Sequence, residues 1–157
     1  MKRILIVCKG NICRSPLAQG LLTIKSYKAG LKWTIDSAGT GHWHIGKLPD
    51  DRSISVAQSN DLDITDQRAR QFSVIDFDRF DQIYVMDKHN ESVVLSMATS
   101  EQDKVKVTLI MNELYPGQNR DVPDPFHNGK EQFSEVYRVL DMLTDHIVDK
   151  YQSVLSN

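Results

Sequence analysis

The chain has 157 residues, of which 40% are hydrophobic and 25% charged, and its formal net charge is -2 at pH 7. This length is typical of one domain that buries about two thirds of its unfolded surface, so we expect a single domain over residues 1–157. The balanced charge gives no basic footprint, and no nucleic-acid partner is expected. Because the apolar run at residues 4–7 is too short for a membrane span or a signal-peptide core, we expect a cytoplasmic protein without a membrane partner.

The apolar segments alternate between strand-like and helix-like patterns along the chain. In chain order, we predict a strand at residues 3–7, a helix at 15–29, a strand at 33–37, a helix at 51–60, a strand at 80–86, a helix at 88–98, a strand at 105–110, a loop at 115–129 and a helix at 131–155. Ser15 stands near the predicted N-cap of the first helix, and Gly30 stands just past its end. Four strands alternating with helices predict an α/β fold with a parallel, doubly wound sheet.

The most informative segment follows the first strand directly and reads Cys8-Lys9-Gly10-Asn11-Ile12-Cys13-Arg14-Ser15. Residues 8–14, called the cysteine loop below, are long enough for backbone N–H groups to surround one tetrahedral anion. Ligands of open parallel sheets bind beyond the carboxyl ends of the strands, where this loop begins. The segment therefore predicts a phosphate site in which Cys8 is the nucleophile and Arg14 binds the anion.

Nucleophilic catalysis by a thiol requires groups that favour the ionised sulfur, since only the thiolate attacks. The loop N–H groups, the positive end of the following helix, the Ser15 hydroxyl and the Arg14 charge all favour it. Arg14 suits a phosphate better than a lysine, because its planar fork donates two parallel hydrogen bonds. Full ionisation gains only about 30-fold in rate, so positioning and charge stabilisation must lower most of the barrier.

The segment Cys-x-Gly-Asn-Ile-Cys-Arg-Ser-Pro resembles the signature of the low-molecular-weight protein tyrosine phosphatases. Further landmarks of that family follow in order: Asp-Ser-Ala-Gly at 36–39, Ala-Arg-Gln at 69–71, Met-Asp at 86–87 with Asn90, and Asp124-Pro125. The resemblance spans nearly the whole chain. It implies a phosphotyrosine phosphatase I-like fold of three layers, with helices on both faces of a four-stranded sheet in the order 2-1-3-4. It also implies metal-independent hydrolysis of phosphotyrosine and aryl phosphate monoesters through a cysteinyl phosphate, without a cofactor.

Asp124 stands in a proline-rich loop, where an aspartate is most simply a turn residue. The resemblance assigns it the role of general acid for the phenolate leaving group, a contribution of about 10²- to 10⁴-fold. In the second step, the same carboxylate would deprotonate the water that attacks the cysteinyl phosphate. The expected catalytic residues are therefore Cys8, Arg14 and Asp124.

Several supporting residues are carried over from the resemblance. Asn11 is expected to take a left-handed conformation and to bind Ser37 of the second strand. Gln67 stands where many family members have a histidine in this network, which leaves its role open. Asp87 and Asn90 match the family's Met-Asp-x-x-Asn, and they fit a helix cap and its first turn equally well.

A phosphotyrosine ring needs an apolar slot with aromatic side chains on its faces, and Trp43 and Phe126 are the candidates. The other expected substrate-binding residues are Lys9, Gly10, Asn11, Ile12, Cys13 and Ser15. Phe126-His127 stands where many family members have Tyr-Tyr. His42 and His44 lie in a glycine-flanked loop with no cysteine nearby, which is typical of solvated residues, so no metal site is predicted.

The chain has two cysteines, and both lie in the cysteine loop. No other cysteine remains for a structural disulfide, which fits a reducing compartment. Cys13 has two interpretations: a small buried apolar residue, or a redox partner that forms a reversible disulfide with Cys8 under peroxide.

Three alternative functions share parts of this pattern. An arsenate reductase would need further cysteines to pass a disulfide outward, and the chain has none beyond Cys13. A protein-arginine phosphatase typically has Thr where Ile12 stands, and an apolar Ile12 suits a phenyl ring better than a guanidinium. A catalytically weak phosphotyrosine-binding module would lack Cys8 or Asp124. The expected partners are tyrosine-phosphorylated proteins, a tyrosine kinase among them, and the expected state is a monomer or weak homodimer.

Overall fold

The computed structural model of the chain describes residues 2–156. The elements in chain order are β1 Lys2–Cys8, α1 Arg14–Lys28, β2 Trp33–Gly39, α2 Asp51–Gln58, α3 Asp76–Arg79, β3 Gln82–Val85, α4 Lys88–Met97, α5 Glu101–Val105, β4 Val107–Leu109, a 3₁₀ helix Ile110–Glu113 and α6 Lys130–Ser156. The four strands form one parallel sheet in the order β2-β1-β3-β4. The predicted α/β fold and strand order are therefore confirmed.

The central strand β1 is buried on both faces, because its side chains alternate between two hydrophobic cores. Ile4 and Ile6 pack into the core that includes residues of α1 and α6. Leu5 and Val7 pack into the opposite core with Phe77 of α3 and residues of α4. The continuous apolar run in the sequence thus corresponds to a strand covered by helices on both sides.

Helix α1 begins at Arg14, one residue earlier than predicted, and its N-cap is Cys13 without a side-chain cap. Ser15 lies near the N-terminus of the helix as predicted, two residues after the N-cap. Its hydroxyl does not cap the helix but bonds the sulfur of Cys8, the contact expected of a group that favours the thiolate. At the other end, Gly30 has a left-handed φ of 75°, which stops the helix as predicted. The free N–H groups of the α1 N-terminus therefore lie at the end of the cysteine loop.

Boundaries differ from the predictions mainly around short elements. The fourth strand is Val107–Leu109 rather than 105–110, because the preceding residues form α5, whose N-cap Ser100 accepts from the Asp103 N–H. The third strand begins at Gln82 rather than 80, since Phe80 is the C-cap of α3. The remaining ends move by one or two residues, as at β2, α2, α4 and α6. Within residues 2–156, none of the helices combines the length and apolar character that a membrane crossing requires.

Candidate active site

The cysteine loop leaves the carboxyl end of β1 and turns tightly against β2. Asn11 has a φ of 58°, the left-handed conformation expected for it. Gly39 of β2 lies directly against the loop: a Cβ there would stand 2.8 Å from the Lys9 carbonyl oxygen and 3.0 Å from the Gly10 carbonyl carbon. The close approach of these two backbones therefore requires a glycine at position 39.

A buried hydrogen-bond network centred on Asn11 fixes the shape of the loop. The Asn11 side-chain nitrogen donates to Ser15 Oγ at 2.8 Å and to Ser37 Oγ at 2.9 Å. Its Oδ1 accepts the backbone N–H of Arg70 at 3.0 Å. Because Ser15 Oγ accepts from Asn11, its own proton is free for Cys8 Sγ, 2.9 Å away. The network thus directs one hydroxyl donor at the sulfur.

Gln19, which sequence reasoning missed, extends this network, whereas Gln67 does not join it. Gln19 accepts a hydrogen bond from the Ser37 hydroxyl at 2.5 Å. Gln67 instead donates to the Pro16 carbonyl at 3.0 Å, and its Oε1 has no hydrogen-bond partner among the described residues. Gln19 therefore extends the Asn11 network in place of Gln67. Its spacing of four residues from Ser15, which puts both on one helix face, is the signal that points to it.

Cys8 is only 2% exposed, yet it lines a cavity of about 200 Å³ at the carboxyl edge of the sheet. The cavity is lined by Cys8, Lys9, Gly10, Ile12, Cys13, Arg14, Trp43, His44, Asp124, Phe126 and His127. The three predicted catalytic residues and both predicted aromatic residues are thus brought together. Asn11, Ser15 and Ser37 lie behind the cavity, in the buried network.

Arg14 is 1% exposed, and its guanidinium is held from several sides. Nη1 donates to Asp87 Oδ2 at 2.8 Å and to the Val122 carbonyl at 2.7 Å, while Nη2 lies 3.8 Å from Asp124 Oδ2. Burial by itself would lower the pKa of Arg14, but the charges of Cys8, Asp87 and Asp124 outweigh it and raise that pKa. Arg14 is therefore a fixed positive charge beside the cavity.

Asp87 is the expected helix cap and also binds Arg14. Its Oδ2 accepts from Arg14, and its Oδ1 accepts the Asn90 backbone N–H at 2.8 Å as the N-cap of α4. Asn90 is fully buried, and neither polar atom of its side chain has a hydrogen-bond partner among the described residues. Asn90 therefore contributes to the site through its backbone N–H, which binds Asp87.

The segment at residues 122–129, called the aspartate loop below, carries Asp124 to the cavity. The Val122 N–H bonds the Met86 carbonyl at 2.8 Å, which fixes the start of the loop beside β3. Asp124 Oδ1 accepts the Phe126 backbone N–H at 3.1 Å, as a turn aspartate does. With its side chain 37% exposed and Oδ2 near Arg14, Asp124 is both a turn residue and a group that a ligand can reach.

Aromatic and basic side chains flank the cavity mouth. Trp43 is 57% exposed, stacks on His42 at 5.5 Å between ring centroids, and has the Lys9 ammonium 5.7 Å from its ring. His42 is exposed, as expected, while His44 is half-buried, lines the cavity and lies 6.1 Å from the Phe126 ring centroid. Within residues 2–156, no three His, Cys, Asp or Glu side chains lie together in a way that could hold a metal ion.

Cys13 is buried and packs with Ile12, Ala69 and Phe133. Burial, aided by the charges of Asp50 and Cys8, raises the pKa of the Cys13 thiol. Its environment is that of a small apolar core residue, and the proposed redox pairing stays a prediction. Both cysteines are free thiols.

The chain is similar in sequence and structure to known protein tyrosine phosphatases. A family model described as low molecular weight phosphotyrosine protein phosphatase matches residues 3–154. The low molecular weight phosphotyrosine protein phosphatase of Schizosaccharomyces pombe is 38% identical over 138 residues, which cover 86% of this chain and 87% of the relative. A crystal structure of a protein tyrosine phosphatase from Entamoeba histolytica, with Hepes in its active site, has a TM-score of 0.89 at 30% identity and covers 98% of both chains. The YwlE arginine phosphatase has a TM-score of 0.85 at 20% identity, with 94% of each chain covered, and shows the shared fold alone.

Proposed function

The chain belongs to the low-molecular-weight phosphotyrosine protein phosphatase family, and from this premise we propose that Cys8, Arg14 and Asp124 carry its reaction. The protein is a protein-tyrosine-phosphatase, a hydrolase of phosphoric monoesters on proteins. The observation that supports the residue assignment most directly is the convergence of these three side chains on one cavity of about 200 Å³. We propose that residues 1–157 form one catalytic domain.

In the first step, the Cys8 thiolate attacks phosphorus opposite the phenolate oxygen; the S–P bond forms and the P–O bond to tyrosine breaks. The Ser15 hydroxyl, 2.9 Å from the sulfur, favours the thiolate before the attack. Arg14 and the loop N–H groups bind the equatorial oxygens, where charge is concentrated in the transition state. Asp124 gives its proton to the leaving phenolate, which departs as neutral tyrosine.

In the second step, the Asp124 carboxylate takes a proton from water as that water attacks phosphorus. The S–P bond breaks, inorganic phosphate leaves, and Cys8 returns as thiolate. Because Asp124 regains the proton that it gave away, the cycle closes without a metal or cofactor. The partial exposure of Asp124 lets the leaving group and the water approach the same carboxylate in turn.

The walls of the cavity support an aromatic substrate. Ile12, Trp43 and Phe126 offer apolar surface to a phenyl ring, whereas a guanidinium needs polar partners once it leaves water. We therefore favour phosphotyrosine over phosphoarginine. The YwlE likeness concerns the fold and does not favour phosphoarginine as the substrate.

The proposed substrates are tyrosine-phosphorylated proteins, with a tyrosine kinase among the candidates. We propose a monomer or weak homodimer, because a tight dimer that covered the exposed Trp43 would close the cavity mouth. A cytoplasmic location is supported by the free thiols of Cys8 and Cys13, which a reducing compartment preserves.

The test compares initial rates on matched phosphotyrosine and phosphoarginine peptides and on para-nitrophenyl phosphate. We expect the phosphotyrosine peptide to be cleaved faster than the phosphoarginine peptide, without effect of a chelator and with inhibition by vanadate. Cys8→Ser should abolish turnover, while Asp66→Ala, which removes an exposed carboxylate on another loop, should leave it unchanged. Preference for phosphoarginine would overturn the substrate assignment, and full activity of Cys8→Ser would overturn the nucleophile.

A further inference from the structure

We propose that Arg52 is a positioning residue for the general acid: its guanidinium fixes the aspartate loop relative to the cysteine loop and so determines where Asp124 lies. Arg52 is the second residue of α2 and belongs to none of the family motifs named above. This proposal rests on the proposed acid role of Asp124. In it, Arg52 does not touch the substrate but acts through the backbone of the aspartate loop.

Arg52 binds two backbone carbonyls of the aspartate loop. Nη1 donates to the Asn128 carbonyl at 2.8 Å, and Nη2 donates to the Phe126 carbonyl at 3.0 Å. The guanidinium also lies 4.3 Å from the ring centroid of Phe133 and 5.7 Å from that of Phe126. A planar, five-donor group fits two carbonyls and two rings at once, which an ammonium cannot do.

On its other side, Arg52 is tied to the cysteine loop through Asp50. Nε and Nη2 of Arg52 each bond one carboxylate oxygen of Asp50 at 3.0 Å. Asp50 is the N-cap of α2, and its backbone N–H donates to the Ile12 carbonyl at 2.8 Å. The hydrogen bonds from Arg52 lower the pKa of Asp50, so this pair stays ionised at neutral pH. A continuous set of contacts thus runs from Ile12 to the aspartate loop.

Asp124 lies between two arginine anchors. Upstream, Arg14 binds the Val122 carbonyl; downstream, Arg52 binds the carbonyls of Phe126 and Asn128. The Asp124 carboxylate itself bonds the N–H of Phe126, within its own loop. Proton transfer needs the acid within about 2.6 to 3.2 Å of the leaving oxygen, so loss of the downstream anchor moves the acid out of reach.

The effect to measure is the dependence of kcat/KM on the leaving group, because kcat/KM reports the step in which the phenolate departs. For Arg52→Gln, we expect kcat/KM to fall by about 10-fold on phenyl phosphate and by less than about 3-fold on para-nitrophenyl phosphate, whose leaving group needs little protonation. The vanadate inhibition constant should stay within about 2-fold, because vanadate occupies the cysteine loop and has no leaving group to protonate. General structural damage would instead lower both rates and vanadate binding together.

Arg52→Lys keeps the charge but loses the fork, so its discrimination between the two substrates should lie between wild type and Arg52→Gln. It also carries the test if Arg52→Gln does not fold. Arg138→Gln is the matched control: Arg138 of α6 and Arg52 of α2 both line one groove between these helices, but Arg138 is exposed and pairs with Glu135. We expect Arg138→Gln to match wild type on both substrates.

Asp124→Ala and the double variant separate this inference from the acid assignment. Asp124→Ala should slow phenyl phosphate more than para-nitrophenyl phosphate, and adding Arg52→Gln should cause no further selective loss. If Asp124→Ala slows both substrates equally, the acid assignment is wrong. If Asp124→Ala discriminates but neither Arg52 variant does, the positioning role of Arg52 alone is wrong.

Discussion

Arg14 and Asp87 form a hydrogen-bonded ion pair of 2.8 Å between the first helical turn of α1 and the cap of α4. The pair joins residues that lie 73 positions apart in the chain. Because the Arg14 side chain is almost completely buried, its orientation depends on this carboxylate and on the Val122 carbonyl. The Arg14 guanidinium is thus oriented by residues that follow β3, the neighbour of β1 on the side away from β2.

The first prediction follows from that pair. Asp87→Asn keeps an acceptor for the α4 cap but removes the charge opposite Arg14, so the guanidinium should lose its fixed orientation. We expect kcat/KM on para-nitrophenyl phosphate to fall by about 10-fold or more and the unfolding free energy by about 1 to 3 kcal/mol. The control Asp103→Asn changes a carboxylate of α5 that accepts from the Thr99 backbone N–H, and it should leave kcat/KM unaltered. Unchanged kcat/KM in Asp87→Asn would show that Asp87 is only a helix cap.

Gly39 gives the second prediction. In Gly39→Ala, the new methyl group meets backbone atoms of Lys9 and Gly10 at 2.8 and 3.0 Å, and backbone cannot swing away as a side chain does. The cysteine loop should shift. The unfolding free energy should fall by about 1 to 3 kcal/mol, and vanadate should bind more weakly. Gly129→Ala is the control for vanadate affinity, because a Cβ there meets no atom within 4 Å. Equal vanadate affinities for the two variants would contradict this account.

The sequence was most informative about features that depend on nearby residues or on the family motif. The apolar run at residues 4–7 implied a buried strand, and β1 is buried as expected. The left-handed conformation of Asn11, which the family resemblance implied, is also observed. The Ser15 hydroxyl was expected to favour the thiolate, and it bonds Cys8, seven residues upstream. Its hydrogen bond from Asn11, which leaves the hydroxyl proton for the sulfur, could be seen only in the structure.

The residues that sequence reasoning missed depend on partners far away in the chain. Arg52 binds a carbonyl 74 residues downstream, and no spacing rule relates the two. A contact of this kind needs the assembled fold before it can be seen. The five-residue helix α5 was missed for another reason: its Ser100 cap is local, but the helix is too short for a clear hydrophobic period.

Ser15 gives the third prediction. Its hydroxyl is the donor directed at Cys8, and a charge-assisted hydrogen bond favours the thiolate over the thiol. In Ser15→Ala, alkylation of Cys8 by iodoacetamide at pH 6 should slow by about 10-fold, measured by mass spectrometry. Ser26→Ala removes another buried hydroxyl of α1, which bonds the Thr23 carbonyl, and should leave the alkylation rate unchanged. Equal rates in both variants would rule out a role for Ser15 at the sulfur.

The fourth prediction concerns Cys13. Burial raises the pKa of this thiol, so the neutral form dominates throughout the neutral range and only thiolates react readily. Iodoacetamide at pH 8 should therefore modify folded protein once, at Cys8, and Cys8→Ser should take up no label. In guanidinium chloride, both cysteines of the wild type should react. A labelled Cys13 peptide from folded protein would contradict the buried, neutral state.

The last prediction is a pH dependence at the edge of the sheet. Hydrogen bonds from the Arg3 side chain and backbone N–H lower the pKa of Asp81 to about 2. The unfolded value is about 3.9, so the carboxylate stabilises the folded state above pH 4, and this stabilisation is lost as pH falls towards 2. Both side chains are more than 40% exposed, at 44% and 42%, so solvent screening limits the contribution to less than about 1 kcal/mol.

Asp81→Asn should accordingly be less stable than wild type in urea unfolding at pH 7, and the difference should shrink steadily between pH 4 and pH 2. Asp78→Asn is the control, since Asp78 meets Arg3 through its backbone carbonyl and keeps that contact in the variant. Its stability difference from wild type should therefore be similar at pH 7 and pH 3. A difference for Asp81→Asn that persists unchanged at pH 2 would mean that packing, and not the charge on Asp81, stabilises the start of β1.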